Sequence, residues 1–139
     1  MMDGQNCIFS CGTVRKRGVM KEIEIRIRAL WQAIAEQDEE KLARFFTPDA
    51  EILWPNTEER FDLNGYLRAN CGYPGQWSGA VEKIALDGSW SVARVWSPES
   101  GVSRSVAFYQ WRNGKVERMV EYWGDVGAPP EWRQGLSLG

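Results

Sequence analysis

The chain has 139 residues, a formal net charge of -2 and 43% apolar residues, which suits one hydrophobic core and leaves no room for a second domain. So small a charge argues against nucleic acid and anionic membrane as partners; no apolar run approaches a membrane span, and Cys7-Ile8-Phe9-Ser10-Cys11 is too short and polar for a signal core, so the expected address is the cytoplasm. The chain has no histidine, which excludes Ser-His-Asp and Cys-His nucleophiles and a histidine base, and leaves any acid-base chemistry to Glu, Asp, Tyr, Lys or Cys.

Cys7, Cys11 and Cys71 cannot all pair within one chain and read as free thiols. A zinc site built on Cys7 and Cys11 would lack further ligands, so no metal and no cofactor are expected. The eight tryptophans fill a core, a cavity wall or an interface, and composition does not choose among these.

Residues 1–19 show neither helical nor strand periodicity and read as a poorly structured tail before a domain spanning 20–139. A helical pattern opens at Met20, so the tail could be an upstream extension, which the intact mass of the natively expressed protein would decide. From Lys21 to Gln37, Ile23, Ile27, Leu30, Trp31 and Ile34 fall on one helical face. Asp38 suits the N-cap of a short helix over 39–46 with Leu42, Phe45 and Phe46 inward, ended by Thr47-Pro48-Asp49. Glu51 to Trp54 reads as a strand stopped by Pro55. Asp62 suits the cap of a third helix carrying Leu63, Tyr66, Leu67 and Asn70 on one stripe, broken at Gly72-Tyr73-Pro74-Gly75.

The remainder is strand-rich: 77–86, 90–97, 102–111 and 116–123, separated by turns at Asp87-Gly88, Pro98 to Gly101 and Asn113-Gly114. The Asn-Gly pair predicts a type I′ hairpin. With Arg112 opposite Lys115, an unbroken ladder would place Phe108 opposite Met119, Val106 opposite Glu121 and Arg104 opposite Trp123 on one face. Helices first and an antiparallel meander afterwards make the fold class α+β, with helices on one side of a curved sheet.

Two stretches, Leu42-Ala43-Arg44-Phe45-Phe46-Thr47-Pro48-Asp49-Ala50 and Glu121-Tyr122-Trp123-Gly124-Asp125, resemble the nuclear transport factor 2-like (SnoaL-like) superfamily. Trp54-Pro55-Asn56-Thr57, Arg68-Ala69-Asn70-Cys71, Tyr73-Pro74-Gly75 and Trp132-Arg133 are similar to a bacterial subgroup that supplies a fold and no activity. The resemblance runs from about Met20 to Arg133. It implies a cone-shaped half-barrel covered by about three helices, a concave pocket, and a homodimer through the outer sheet face. Isomerases, cyclases, dehydratases, hydrolases and non-catalytic binders share this fold, so fold alone does not choose a function.

On that resemblance Glu121 corresponds to a pocket carboxylate, and the unbroken ladder places Arg104 within a diagonal step of it as a partner; a surface ion pair is the alternative. Arg104 also stands where histidine is expected in this subgroup, which puts any transferred acid-base scheme in doubt. Glu121 and Arg104 are therefore the candidate catalytic pair, with a conflict built in, since a paired arginine lowers the pKa that a general acid needs raised. The candidate ligand-binding residues are Trp31, Trp54, Tyr66, Asn70, Phe108, Met119 and Trp123. Trp31 and Trp54 read equally as core, and Asn70 reads more readily as a helix C-cap than as a ligand contact. Arg94 and Trp96 cannot be assigned a face. Tyr73 to Trp77 reads as a lid or an ordinary turn, and Asp125 as a site carboxylate or a strand end. Tyr109, Trp111, Val120 and Tyr122 are expected to form the dimer patch. The expected ligand is small, apolar and carbonyl-bearing, and catalysis, binding without turnover, and a purely structural dimerisation role all stay open.

Overall fold

The computed structural model describes residues 14–139, so Cys7, Cys11 and residues 1–13 of the expected tail lie outside the described residues. Helix α1 spans Val14–Glu36. It begins inside the stretch read as a tail, because Arg and Lys sustain a helix well enough without an apolar period. Its stripe is as expected: Ile27, Leu30, Trp31 and Ile34 are buried and Ile23 packs beside them. No described helix is long and apolar enough to cross a membrane.

Helix α2 is only Glu39–Ala43, capped by the Asp38 carboxylate on the Lys41 amide. The expected extension to Phe46 fails, since Phe46 opens strand β1, Phe46–Trp54. Pro48 disfavours helical backbone at Thr47, and the Phe45 carbonyl accepts from the Val116 amide. A single 3-10 turn, Pro55–Thr57, reverses the chain into β2, Glu59–Asp62. Asp62 caps α3, Leu63–Cys71, through the Gly65 amide at 2.8 Å, and Gly72 ends it. Strands β3 (Ser78–Ile84), β4 (Trp90–Ser97), β5 (Gly101–Arg112) and β6 (Lys115–Asp125) follow.

The six strands form one sheet in the order β2-β1-β6-β5-β4-β3. All neighbours are antiparallel except β1 with β6, which run parallel. This pairing carries the last strand back beside the first, so residues far apart in sequence share the sheet centre. The inner face packs on the helices: Ile52, Tyr109, Val116 and Met119 meet Leu30, Leu42, Tyr66 and Leu67 in one core.

The Asn113-Gly114 turn has both residues at positive φ, 53° and 79°, as a type I′ hairpin requires. Arg112 pairs with Lys115 as expected, but the ladder then shifts: Trp111 faces Val116 and Gln110 faces Arg118, leaving Glu117 as an extra residue on β6. This bulge reverses the facing of one strand against the other. Met119 therefore lies opposite Tyr109, Glu121 opposite Ala107, and Trp123 opposite Ser105. Arg104, Val106 and Phe108 belong to the outer face, with Val120 and Tyr122 as neighbours, and Tyr109 and Trp111 turn inward, out of the expected dimer patch. Arg94 and Trp96 also face outward, alternating with buried Ala93 and Val95, and the Arg94 guanidinium lies 4.8 Å from the Trp96 ring centre.

Candidate functional site

Glu121 occupies the middle of β6 on the inner face, 1% exposed. Its strand neighbour is Ala107, small and fully buried, which leaves the carboxylate room beneath the helices. Oε1 accepts the indole N–H of Trp54 at 2.8 Å. Oε2 has no protein partner among the described residues, and the same holds for Tyr66 Oη and Ser105 Oγ. Unpartnered buried polar atoms cost about 1 to 3 kcal/mol each, so three of them on groups around one carboxylate call for a functional explanation.

Burial pushes the Glu121 carboxyl up from 4.5 to about 7. The Trp54 hydrogen bond opposes this, as does the Ser105 hydroxyl, which stands near enough to favour the charge without closing a hydrogen bond of ordinary geometry. Tyr66, also 1% exposed, is held far above the ordinary phenol range by burial first and by the Glu121 charge second, so it remains an O–H donor. Next to it, Tyr109 accepts from Trp31 Nε1 at 2.9 Å and shares a 2.6 Å hydrogen bond with Ser91. That inner network is closed, whereas the Glu121, Tyr66 and Ser105 group is open.

A cavity of about 320 Å³ shares Trp54 with this group, at the small end of the range for small-molecule sites. Trp54 from the end of β1, Trp123 from β6 and Tyr73 with Trp77 from the loop after α3 supply aromatic walls. Ile34, Ala35 and Val95 complete the apolar lining, and Asn56, Asn70, Ser103 and Asp125 lie among its polar groups. Each tryptophan wall is braced by an edge-to-face ring: Trp123 by Trp31, Trp54 by Phe61 and Tyr66, and Trp77 by Tyr73. Glu121 is not itself in the lining; Trp54 stands between, with its ring on the cavity and its N–H on the carboxylate.

Among the residues expected to bind ligand, Trp54, Asn70 and Trp123 line the cavity. Trp31, Tyr66 and Met119 are buried in the core and do not line it, the first bracing Trp123. Asn70 is not the C-cap of α3: its amide nitrogen donates to the Ile34 carbonyl and ties α3 to α1. Two expectations fail for one reason, the bulge at Glu117. Phe108 is 46% exposed on the outer face, and Arg104 sits on that face too, paired with Glu82 at 2.8 Å and not with Glu121. Trp77, Gln37, Asn56 and Ser103 line the cavity without having been singled out as ligand-binding. Their positions at element ends carry no periodic signal.

The chain has the nuclear transport factor 2-like fold, an α+β arrangement of helices on one face of a mostly antiparallel six-stranded sheet. It is similar, at a TM-score of 0.69 and 24% identity over 84% of this chain and 88% of the other, to a proposed ketosteroid isomerase from Kribbella flavida DSM 17836. A similar protein of unknown function from Burkholderia xenovorans LB400 gives 0.68 and 24% over 86% and 95%. An LEH-like epoxide hydrolase of M. tuberculosis gives 0.59 and 11% over 75% and 84%. No family model and no curated protein matches the sequence. These likenesses establish the fold, whose members include isomerases, cyclases and epoxide hydrolases.

Proposed function

We propose that this protein binds a small apolar, carbonyl-bearing molecule in the aromatic cavity and moves a proton on it with Glu121, as a cofactor-independent isomerase, cyclase, dehydratase or hydrolase. The observation that carries this reading is a carboxyl group buried to 1% exposure, poised at about 7, with one oxygen unpartnered beside two unpartnered hydroxyls. A general acid or base works best when its pKa lies near the working pH. The displacement of Arg104 to the outer face removes the conflict seen in the sequence, since no paired guanidinium depresses Glu121. In this reading Glu121 takes a proton from carbon or gives one to oxygen, Tyr66 and Ser105 donate hydrogen bonds to the developing oxyanion, and the tryptophans exclude water. Trp54 must swing aside for Glu121 to reach a ligand, which makes it a positioning residue.

A panel of β,γ-unsaturated ketones and epoxides tests this. Turnover of the ketones, which needs Glu121 ionised as the base, should rise through an inflection near pH 7. Turnover of the epoxides, which needs it protonated as the acid, should fall through the same inflection, and both should drop at least about 100-fold in Glu121→Gln. Trp54→Phe keeps an aromatic wall but removes the N–H that favours the ionised carboxyl, so the inflection should move to higher pH. Turnover unaltered by Glu121→Gln would overturn the catalytic assignment.

A second reading, binding without chemistry, is favoured by the same Trp54 partition, because a ring that stays in place keeps Glu121 out of the cavity. Ligand retained in native mass spectra, with no turnover in the panel, would select it.

The outer face supports self-association. Leu53, Val120, Phe108 and Trp90 form one cross-strand row and Tyr122, Val106 and Val92 the next, with Phe108 and Tyr122 each 46% exposed and packed edge to face. Contiguous apolar surface of this kind marks an interface more often than a solvent face. A homodimer is expected at micromolar concentration in sedimentation, and Phe108→Glu should give monomer. A wild-type monomer would refute the assembly.

A further inference from the structure

The aromatic cavity differs from its surroundings in which hydrogen-bonding groups it leaves unengaged. Trp54 donates its N–H to Glu121, and Trp77 donates its own to the Pro74 carbonyl at 3.0 Å. These two walls therefore offer a ligand ring surface and no donor. The side-chain amides are turned the same way. Gln37 Nε2 donates to the carbonyls of Asn70 and Tyr73, Asn56 Nδ2 to that of Trp123, and Asn70 Nδ2 to that of Ile34. Among the described residues, no hydrogen bond is donated to the side-chain oxygens of these three amides.

The hydroxyls follow suit: Ser103 donates to Asp125 at 2.9 Å and Thr57 to Glu59 at 2.6 Å. Both carboxylates, Asp125 and Glu59, line the cavity, and among the described residues no lysine or arginine does. The lining is thus rich in acceptors and ring faces, carries two negative charges, and keeps as side-chain donors the Tyr73 hydroxyl, the Trp123 indole and the second N–H of Asn56. An anionic ligand would meet like charge and few donors. A neutral one would answer the acceptors only through its own donors and leave both carboxylates without a counter-charge.

We propose that the cavity takes a cationic amine, a molecule whose apolar body lies against Trp54, Trp77 and Trp123 and whose protonated nitrogen sits toward Asp125, Glu59 and the amide oxygens. The ring faces attract the cation through their quadrupole and the carboxylates supply the counter-charge. This assignment rests on the cavity being the ligand site, and it extends the proposed function without contradicting it. The hydroxyls of Tyr66 and Ser105, behind Trp54, provide donors for a carbonyl at the other end of the same molecule.

Three probes with one apolar body separate the possibilities: 4-phenylbutylamine, 4-phenylbutan-1-ol and 4-phenylbutanoate, titrated at pH 8 against the purified protein by calorimetry and by tryptophan fluorescence. The amine is expected to bind about tenfold more tightly than the alcohol, the size of one partly desolvated cation-π contact, and the carboxylate most weakly. Asp125→Asn combined with Glu59→Gln should narrow the amine-to-alcohol ratio several-fold, and Trp77→Leu should narrow it too. Equal binding of amine and alcohol, both abolished by the cavity-filling change Ala35→Trp, would overturn the cation preference while leaving the cavity as the ligand site. Binding of all three unaffected by Ala35→Trp, in a variant that melts as the wild type does, would overturn the cavity reading and this inference with it.

Discussion

Replacing Glu121 with Gln should make the protein more stable at pH 8 by up to about 3 kcal/mol, and should leave it equally stable near pH 4.5. In the folded chain burial holds this carboxyl at about 7 against an ordinary value of 4.5, and each unit of that gap corresponds to about 1.4 kcal/mol. Below 4.5 the group is protonated in both states and burial costs nothing extra. As the pH rises from there the unfolded chain releases the proton while the folded chain keeps it, so stability declines; above 7 both are ionised and the deficit is constant. Glutamine preserves the acceptor for the Trp54 N–H and never ionises. The surface carboxylates Asp49, Glu51 and Glu82 behave oppositely, lowered first by hydrogen bonds from Arg112, Arg60 and Arg104, so their contribution is lost as the pH falls. They are common to both proteins and cancel in the difference. Urea unfolding of the pair at pH 4.5, 6 and 8 reads that difference, and a constant value across the range would show that Glu121 ionises as an exposed carboxylate does. Together with lost turnover, a stabilised variant would be the trade found at active sites, where a functional group is kept at a cost to the fold.

Deleting Glu117 should destabilise the protein by at least about 3 kcal/mol, more than any substitution at that position. The residue is the extra one on β6, and it lets Val116 and Met119, both fully buried, point inward although they are three positions apart. Without it strict alternation returns, and either Val116 leaves the core or Met119, Glu121 and Trp123 do. Losing Val116 alone sacrifices a fully buried side chain, worth about 1.5 to 3 kcal/mol, together with its backbone bond to the Phe45 carbonyl. Losing the other three dismantles the site. Glu117→Gly keeps the residue count and should remain within about 1 kcal/mol of the wild type. Thermal melts of the two variants check this, and a deletion as stable as the wild type would mean that the bulge does not set the facing.

The three helices, though not the start of α1 or the end of α2, and the buried stripe of α1 were legible in the sequence because their causes are local. Asp38 and Asp62 cap where their side chains reach the next turn, and Ile27, Leu30, Trp31 and Ile34 recur at helical spacing whatever lies opposite. The Asn113-Gly114 turn was legible for the same reason, since positive φ is a property of those two residues. The bulge also left a trace: Val116 and Met119 have two charged residues between them where strict alternation allows one. Other features depended on partners distant in the chain. Only tertiary structure sets β1 parallel to β6, brings Trp54 onto Glu121 across 67 positions, and sends Arg104 outward to Glu82. The raised Glu121 carboxyl follows from that placement, because burial is decided by which surfaces close over a residue and not by its neighbours in sequence. The same holds for the cavity, whose lining comes from the ends of helices, strands and loops, positions with no period to read and a meeting place that exists only once the sheet and helices have packed.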